Sequence, residues 1–181
     1  MRPRVVEIVA QPCDRPNRSR GVGVVVADRV VATAGHTVEG PLRDLAVDGQ
    51  PARVIDVDRR TDLALLAVET AIPPAGLSPT SPSRADLLGP GGTSEVRILS
   101  TGPLVVDDTT DRRRYQRQVH TFSPGVPAGT SGAPLLDDRD RLLGVVVLNG
   151  AGVAYAVTAG ELASLLERSR HRSPEAAGCA N

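Results

Sequence analysis

Short apolar runs constrain this chain more than any other feature. Val, Leu, Ile and Ala gather in stretches of about four to seven residues, and Gly, Pro or Asp closes nearly every one. Stretches of that length and β-branched content fit strands rather than the longer helices of a bundle. In the first half they fall at Val5–Val9, Val22–Val26, Val30–Thr33, Arg43–Val47, Ala52–Val57 and Leu63–Val68. In the second they fall at Glu95–Ser100, Leu104–Asp107, Arg117–Phe122, Ala133–Leu136, Leu142–Leu148 and Val153–Val157. Asp28-Arg29 and Asp48-Gly49 read as turns, the second with the stronger hairpin chemistry.

Between the two sets lies Ile72–Ser83, with prolines at 73, 74, 79 and 82. Proline donates no ladder hydrogen bond, so this stretch connects rather than pairs. The organisation expected is a β unit over 1–78, a linker over 79–94, a second β unit with a helix over 95–170, and a flexible tail over 171–181. Thr158-Ala159-Gly160-Glu161 is a capping box, and Leu162, Leu165 and Leu166 continue it as a helical stripe.

Composition narrows the partners. The 21 basic and 21 acidic residues cancel, so no bulk field draws in nucleic acid or an anionic membrane. The one dense basic cluster, Arg112 to Arg117, follows Asp107, Asp108 and Asp111 and reads as a solvated hairpin. No stretch is long enough to span a membrane, and Glu7 interrupts the only apolar run near the N-terminus. The chain as written is expected to be cytoplasmic, or secreted if it is a piece of a longer protein. Cys13 and Cys179 permit one disulfide, but they lie near opposite ends, and two unpaired thiols are expected. No Cys/His grouping suggests a metal, and no cofactor is implied.

Three residues carry the chemistry. Ser131 sits among glycines in Gly129-Thr130-Ser131-Gly132-Ala133-Pro134. A serine hydroxyl needs a base to become a nucleophile, and flanking glycines permit the tight backbone that aims amides at a developing oxyanion. His36 follows the apolar run Val30–Ala34, and its ordinary pKa suits general-base work near neutrality. Asp62 opens the run Leu63–Val68, where it can accept the imidazole Nδ1–H. Each residue alone could be a turn or core residue. There is no Lys in the chain, which excludes a Ser-Lys mechanism.

The order His, Asp, Ser, each beside a β run, resembles the chymotrypsin/trypsin superfamily, in the style of small bacterial HtrA-type (high-temperature-requirement) protease domains. Val31-Ala32-Thr33-Ala34-Gly35-His36, Thr61-Asp62-Leu63-Ala64-Leu65-Leu66 and Gly129 to Pro134 resemble its three motifs. Leu142–Val147 and Ala154–Val157 resemble its closing strands, so the likeness runs from Val5 to Leu166.

The resemblance implies an all-β fold of two six-stranded antiparallel barrels with a short C-terminal helix. It implies a serine endopeptidase acting on protein or peptide, with Ser131 as nucleophile, His36 as acid and base, and Asp62 as orienting carboxylate. The backbone N–H groups of Gly129 and Ser131 would form the oxyanion hole. Gly125 would floor an uncharged primary pocket, and Val147, Leu148, Asn149 and Gly150 would line it and pair with substrate backbone. His120 either approaches that pocket or sits in the core. Thr130 stands where digestive members have Asp, so activation by N-terminal cleavage is not expected. Gly35 in place of Ala is expected to loosen the histidine turn. Two other functions stand beside this one. A protease fold kept as a weakly catalytic binding or scaffolding module would have an unformed oxyanion hole. An ester hydrolase would be expected to carry the G-x-S-x-G elbow, whose second Gly is Ala133 here.

Overall fold

The computed structural model describes residues 2–108 and 113–179. Its strands sort by how many faces they bury. Where a strand has one wet face, apolar and polar residues alternate; where both faces are covered, the run is apolar throughout. The second kind includes β3 (Val30–Ala34), β6 (Leu63–Val68) and most of β11 (Leu142–Asn149). The alternation is kept at β1 (Val5–Pro12), where Val6, Ile8 and Ala10 point inward.

The first barrel adds β2 (Ser19–Ala27), β4 (Leu42–Val47) and β5 (Gln50–Asp58) to β1, β3 and β6. Its antiparallel ring runs β1-β2-β3-β6-β5-β4 and back to β1. The second is a closed barrel made of β7 (Arg84–Gly89), β8 (Gly92–Asp108), β9 (Arg113–Ser123), β10 (Pro134–Leu136), β11 and β12 (Ala154–Thr158). The helix α1 (Ala159–Ser169) follows, and a short strand β13 (Glu175–Ala176) returns to β5.

Three apolar clusters match this plan. Val6, Ile8, Val31, Leu45 and Leu66 fill the first barrel, and Val96, Phe122, Leu135, Leu143 and Val146 the second. A third cluster joins them, with Val24, Ala32, Leu63 and Leu65 on one side and Val119, Leu142, Val145 and Leu162 on the other. Neighbours along β6 thus face opposite ways: Ala64 and Leu66 inward, Leu63 and Leu65 toward the other barrel.

Asp48-Gly49 forms the expected two-residue hairpin, with φ of 47° and 76° and Val47 opposite Gln50. Arg29 at the other expected turn is also left-handed, at φ 56°.

Several expectations need correction. The linker does not extend to 94, because Arg84–Gly89 and Gly92 onward are already the β7–β8 hairpin. Leu104–Asp107 is not a separate strand; β8 runs unbroken through Pro103. That proline is tolerated because β8 pairs with β7 only as far as Arg97 and beyond it pairs with β9 alone. Missing one strand and splitting another left the expected count of strands unchanged.

The tail 171–179 is not loose. Glu175 and Ala176 pair with Val54 and Arg53, and Gly178 N donates to the Leu42 carbonyl at 2.6 Å. Cys13 and Cys179 are bonded rather than free, with Cα atoms 5.7 Å apart. The returning tail brings them together, which sequence distance alone conceals. Thr158 is the residue before α1, yet its side chain makes no capping hydrogen bond. Glu161 is turned instead to Arg60 and to the amide of Gln118.

Candidate active site

β3 ends in a short 3-10 turn, Gly35–Thr37, which lifts His36 out of the doubly buried strand into the cleft. The turn before β6 places Asp62 beside it. Asp62 has φ 58°, a left-handed conformation that Asp tolerates better than most residues. In that conformation its carboxylate folds back on the histidine. Oδ1 accepts the His36 backbone N–H at 2.8 Å, and Oδ2 lies 2.8 Å from Nδ1. Gly35 N also donates to the Asp62 carbonyl, at 2.7 Å. A Cβ at Gly35 would stand 2.9 Å from Asp62 Oδ1. Glycine there permits this close approach, which ties the turn down instead of loosening it.

Ser131 comes from the other barrel. Its carbonyl accepts from Val22 N at 2.9 Å, and Gly132 N donates to Val146 O at 2.7 Å, so the segment is pinned between β2 and β11. Gly132 has φ 90°, and a Cβ there would lie 1.8 Å from Val22 O, so no other residue fits without moving backbone. The result brings Ser131 Oγ to 3.0 Å from His36 Nε2. The three residues form one hydrogen-bonded chain across the cleft.

Electrostatics follow from the same contacts. His36 titrates above its ordinary value, chiefly because Asp62 bonds its ring, with the charges of Asp62 and Glu39 adding to this; burial and the Arg117 charge act in the opposite direction. With Asp62 holding the proton on Nδ1, Nε2 is the lone pair facing Ser131, the tautomer a general base needs. A cavity of about 240 Å³ opens beside His36 and Asp62, walled by Val57, Val106, Tyr115 and Leu148.

The other expected site residues fall around this centre. Gly129, at φ 87°, lies just before Thr130, whose hydroxyl donates to Pro127 O at 2.8 Å. Among the described residues no acceptor takes the N–H of Gly129 or Ser131. Val147 is buried in the interbarrel cluster, while Leu148, Asn149 and Gly150 are exposed. Asn149 does more than line a wall. Its Nδ2 donates to Val126 O at 2.7 Å and its Oδ1 accepts from Val126 N at 3.1 Å, beside Gly125. His120 sits in the core, with Thr101 Oγ1 2.7 Å from Nδ1 and Leu143 O 3.2 Å from Nε2, and burial lowers its pKa.

Arg117 departs from the solvated basic cluster expected over residues 112–117. Arg113 and Arg114 do lie exposed on the hairpin, and Arg112 falls outside the described residues. The Arg117 side chain, however, is only 7% exposed, and its Nη1 stands 4.0 Å from Asp62 Oδ2. Its phase in β9 carried the signal, because Arg117 shares with Tyr115 and Val119 the face turned to the first barrel, opposite Phe122 in the second barrel's interior. Among the described residues no group of three or more His, Cys, Asp or Glu could hold a metal ion, and no helix is long and apolar enough to cross a membrane.

Two antiparallel barrels with the polar cleft between them define the chymotrypsin-like class of fold. A family model described as the trypsin-like peptidase domain matches residues 21–145, and the chain belongs to that family. It is 32% identical over 197 aligned positions to the serine protease Rv3671c of Mycobacterium tuberculosis strain H37Rv, and equally to serine protease MT3772 of strain CDC 1551. The match covers 97% of this chain and 48% of each relative, so the chain spans about half the length of those curated relatives.

Among solved structures, the active form of the Rv3671c protease superposes with a TM-score of 0.84 at 28% identity, over 97% of this chain and 84% of that one. A serine-to-alanine mutant of the same protease in an inactive form gives 0.76 at 30% identity, over 93% and 88%.

Proposed function

We propose that this chain is a serine endopeptidase that cleaves peptide bonds through Ser131, His36 and Asp62. The continuous chain from Asp62 Oδ2 through His36 to Ser131 Oγ, at 2.8 and 3.0 Å, carries the reading. His36 Nε2 takes the Ser131 proton as Oγ attacks the scissile carbonyl carbon. The tetrahedral oxyanion is met by the N–H groups of Gly129 and Ser131, and their lack of an internal acceptor supports that role. As the C–N bond breaks, the imidazolium returns its proton to the leaving amine. Water then repeats the attack on the acyl-enzyme, and Ser131 regains its proton. The greater similarity to the active than to the inactive form of the relative supports an assembled site.

Extended substrate adds to the exposed edge at Leu148–Gly150. Gly125 brings no charge to the primary pocket, and the Asn149 carboxamide bonded across to Val126 narrows it. Small or uncharged side chains are therefore favoured over Arg or Lys ahead of the scissile bond. Digestion of a peptide library by the wild-type chain, beside Ser131→Ala, tests both statements. Cleavage that survives in the alanine variant contradicts the mechanism, and consistent cleavage after Arg contradicts the pocket.

A further inference from the structure

The site is divided between two bodies. His36 and Asp62 stand on the first barrel, and Ser131 on the second. Reaction geometry must hold to a fraction of an ångström, whereas the apolar cluster between the barrels is adhesive without being directional. Within the first barrel Asp62 is bonded to the His36 turn, so the contacts that matter across the divide are directional ones that fasten the Asp62 turn to the second barrel.

The turn 59–62 has such contacts. The Arg60 guanidinium forks onto the Glu161 carboxylate, with Nη1 3.0 Å from Oε1 and Nη2 bonded to Oε2. Arg60 Nη1 also donates to Gln116 O at 3.0 Å, and Glu161 Oε1 accepts from Gln118 N at 3.1 Å. The pair is thus anchored on the backbone of β9 on both sides of Arg117. Two-pronged arginine–carboxylate contacts fix orientation as well as distance. Glu161 is 13% exposed, and the Arg60 contact holds it below the usual carboxylate range.

The pair is the end rung of a longer ladder. Arg168 reaches Asp58 at 2.7 Å, Ser169 Oγ reaches Asp56 at 2.7 Å, and Arg172 lies 3.2 Å from Asp56. Asp56, Asp58 and Arg60 are alternate residues of β5 and its turn, and their partners share one stripe of α1 and its exit. Only the Arg60 rung lies two residues from Asp62.

We infer that Arg60 and Glu161 are positioning residues, which fasten the Asp62 turn of the first barrel to β9 and α1 of the second and so set Asp62 against His36. The inference rests on the reading of Ser131, His36 and Asp62 given above. The groups facing His36 are the carboxylates Asp62, Glu39 and Asp107, the cations Arg59 and Arg117, and Tyr115. Neither variant below removes any of them, so a change in the histidine's titration reports on the Asp62 contact.

The test compares Glu161→Gln with Arg168→Gln in the full chain, by the rate at which a fluorophosphonate probe labels Ser131 across pH and by thermal melting. Both variants should melt lower. Glu161→Gln should label about tenfold or more slowly, with its acid limb moved to lower pH as the leading cause of the raised His36 pKa weakens. Arg168→Gln should label at the wild-type rate. Exchanging the charges, Arg60→Glu with Glu161→Arg, should recover part of the rate. Wild-type labelling with an unmoved limb in Glu161→Gln would make the pair a structural strut only and overturn the inference. Should Glu161→Gln fail to fold, Arg60→Lys keeps the charge and loses the fork, and wild-type labelling there overturns it equally. A wild-type chain with no Ser131-dependent labelling removes the underlying reading, a result distinct from either.

Discussion

The two barrels contribute the same number of ring strands and present their chemistry in opposite ways. The first holds His36 and Asp62 in tight turns at the ends of β3 and β6, strands covered on both faces. The second holds Ser131 in a long excursion between β9 and β10, pinned by backbone bonds to β2 and β11. The acid–base pair is positioned by rigid strand ends and one left-handed aspartate. The serine is positioned by glycine geometry and by contacts with the other barrel. Side-chain identity rules on one side of the cleft and backbone shape on the other.

Substitutions on the two sides of the cleft should therefore act differently. Asp62→Asn keeps the shape of the first barrel's turn but favours the wrong imidazole tautomer. By the behaviour of such triads, kcat should fall about 10⁴-fold with melting little changed. Steady-state kinetics beside a thermal scan checks this, and a loss below tenfold would remove Asp62 from the orienting role.

On the serine side, Gly132→Ala should act through the backbone, because a Cβ there would lie 1.8 Å from Val22 O. A cost of about 3 kcal/mol and near-complete loss of labelling are expected. The counterpart, Gly35→Ala, meets the Asp62 carboxylate oxygen at 2.9 Å and Asp62 backbone no closer than 3.2 Å. Denaturant melts should show it costing about 1 kcal/mol, and equal costs for the two would erase the contrast.

The disulfide that fastens the returning tail to the first barrel is a further test. Cys13→Ser with Cys179→Ser opens a loop closed over 166 residues, and should cost up to about 5 kcal/mol in a denaturant melt. The smallest effect is the pH dependence. Because Asp62 raises the His36 pKa, the acid limb of kcat/KM should lie above the ordinary histidine value of 6.5. The base works when neutral, so activity rises as pH passes that limb. The stability from the Asp62–His36 pair runs the other way, complete below 6.5 and lost as pH rises through the folded-state pKa. A limb at or below 6.5 would mean the Asp62 contact is absent in solution.

What sequence made visible follows the same division. Strands covered on both faces are unbroken apolar runs, so β3, β6 and β11 announced themselves, and His36 and Asp62 could be read at their ends. Ser131 was visible through its glycines. The β7 strand was hidden because its alternation, with Ala85 and Leu87 inward, ends in a Gly-Pro-Gly-Gly turn that mimics a linker. Pro103 marked a break that an unpaired strand edge does not require. Long-range pairings had no local mark at all. Cys13 finds Cys179 only because β13 returns to β5, and Glu161 faces Arg60 only because α1 packs across the first barrel. Arg117 lay between these cases, since its place on a buried face of β9 was readable but its partner was not.

The central claim, that Ser131 is made nucleophilic by His36 and Asp62, is tested most directly by finding where a fluorophosphonate attaches. The wild-type chain is treated near neutral pH, digested, and the modified residue is assigned by peptide mass spectrometry, beside Ser131→Ala and His36→Ala. A single adduct on Ser131, absent from both variants, is the expected result. Labelling that persists in either variant, or an unlabelled but fully folded wild-type chain, would contradict the account.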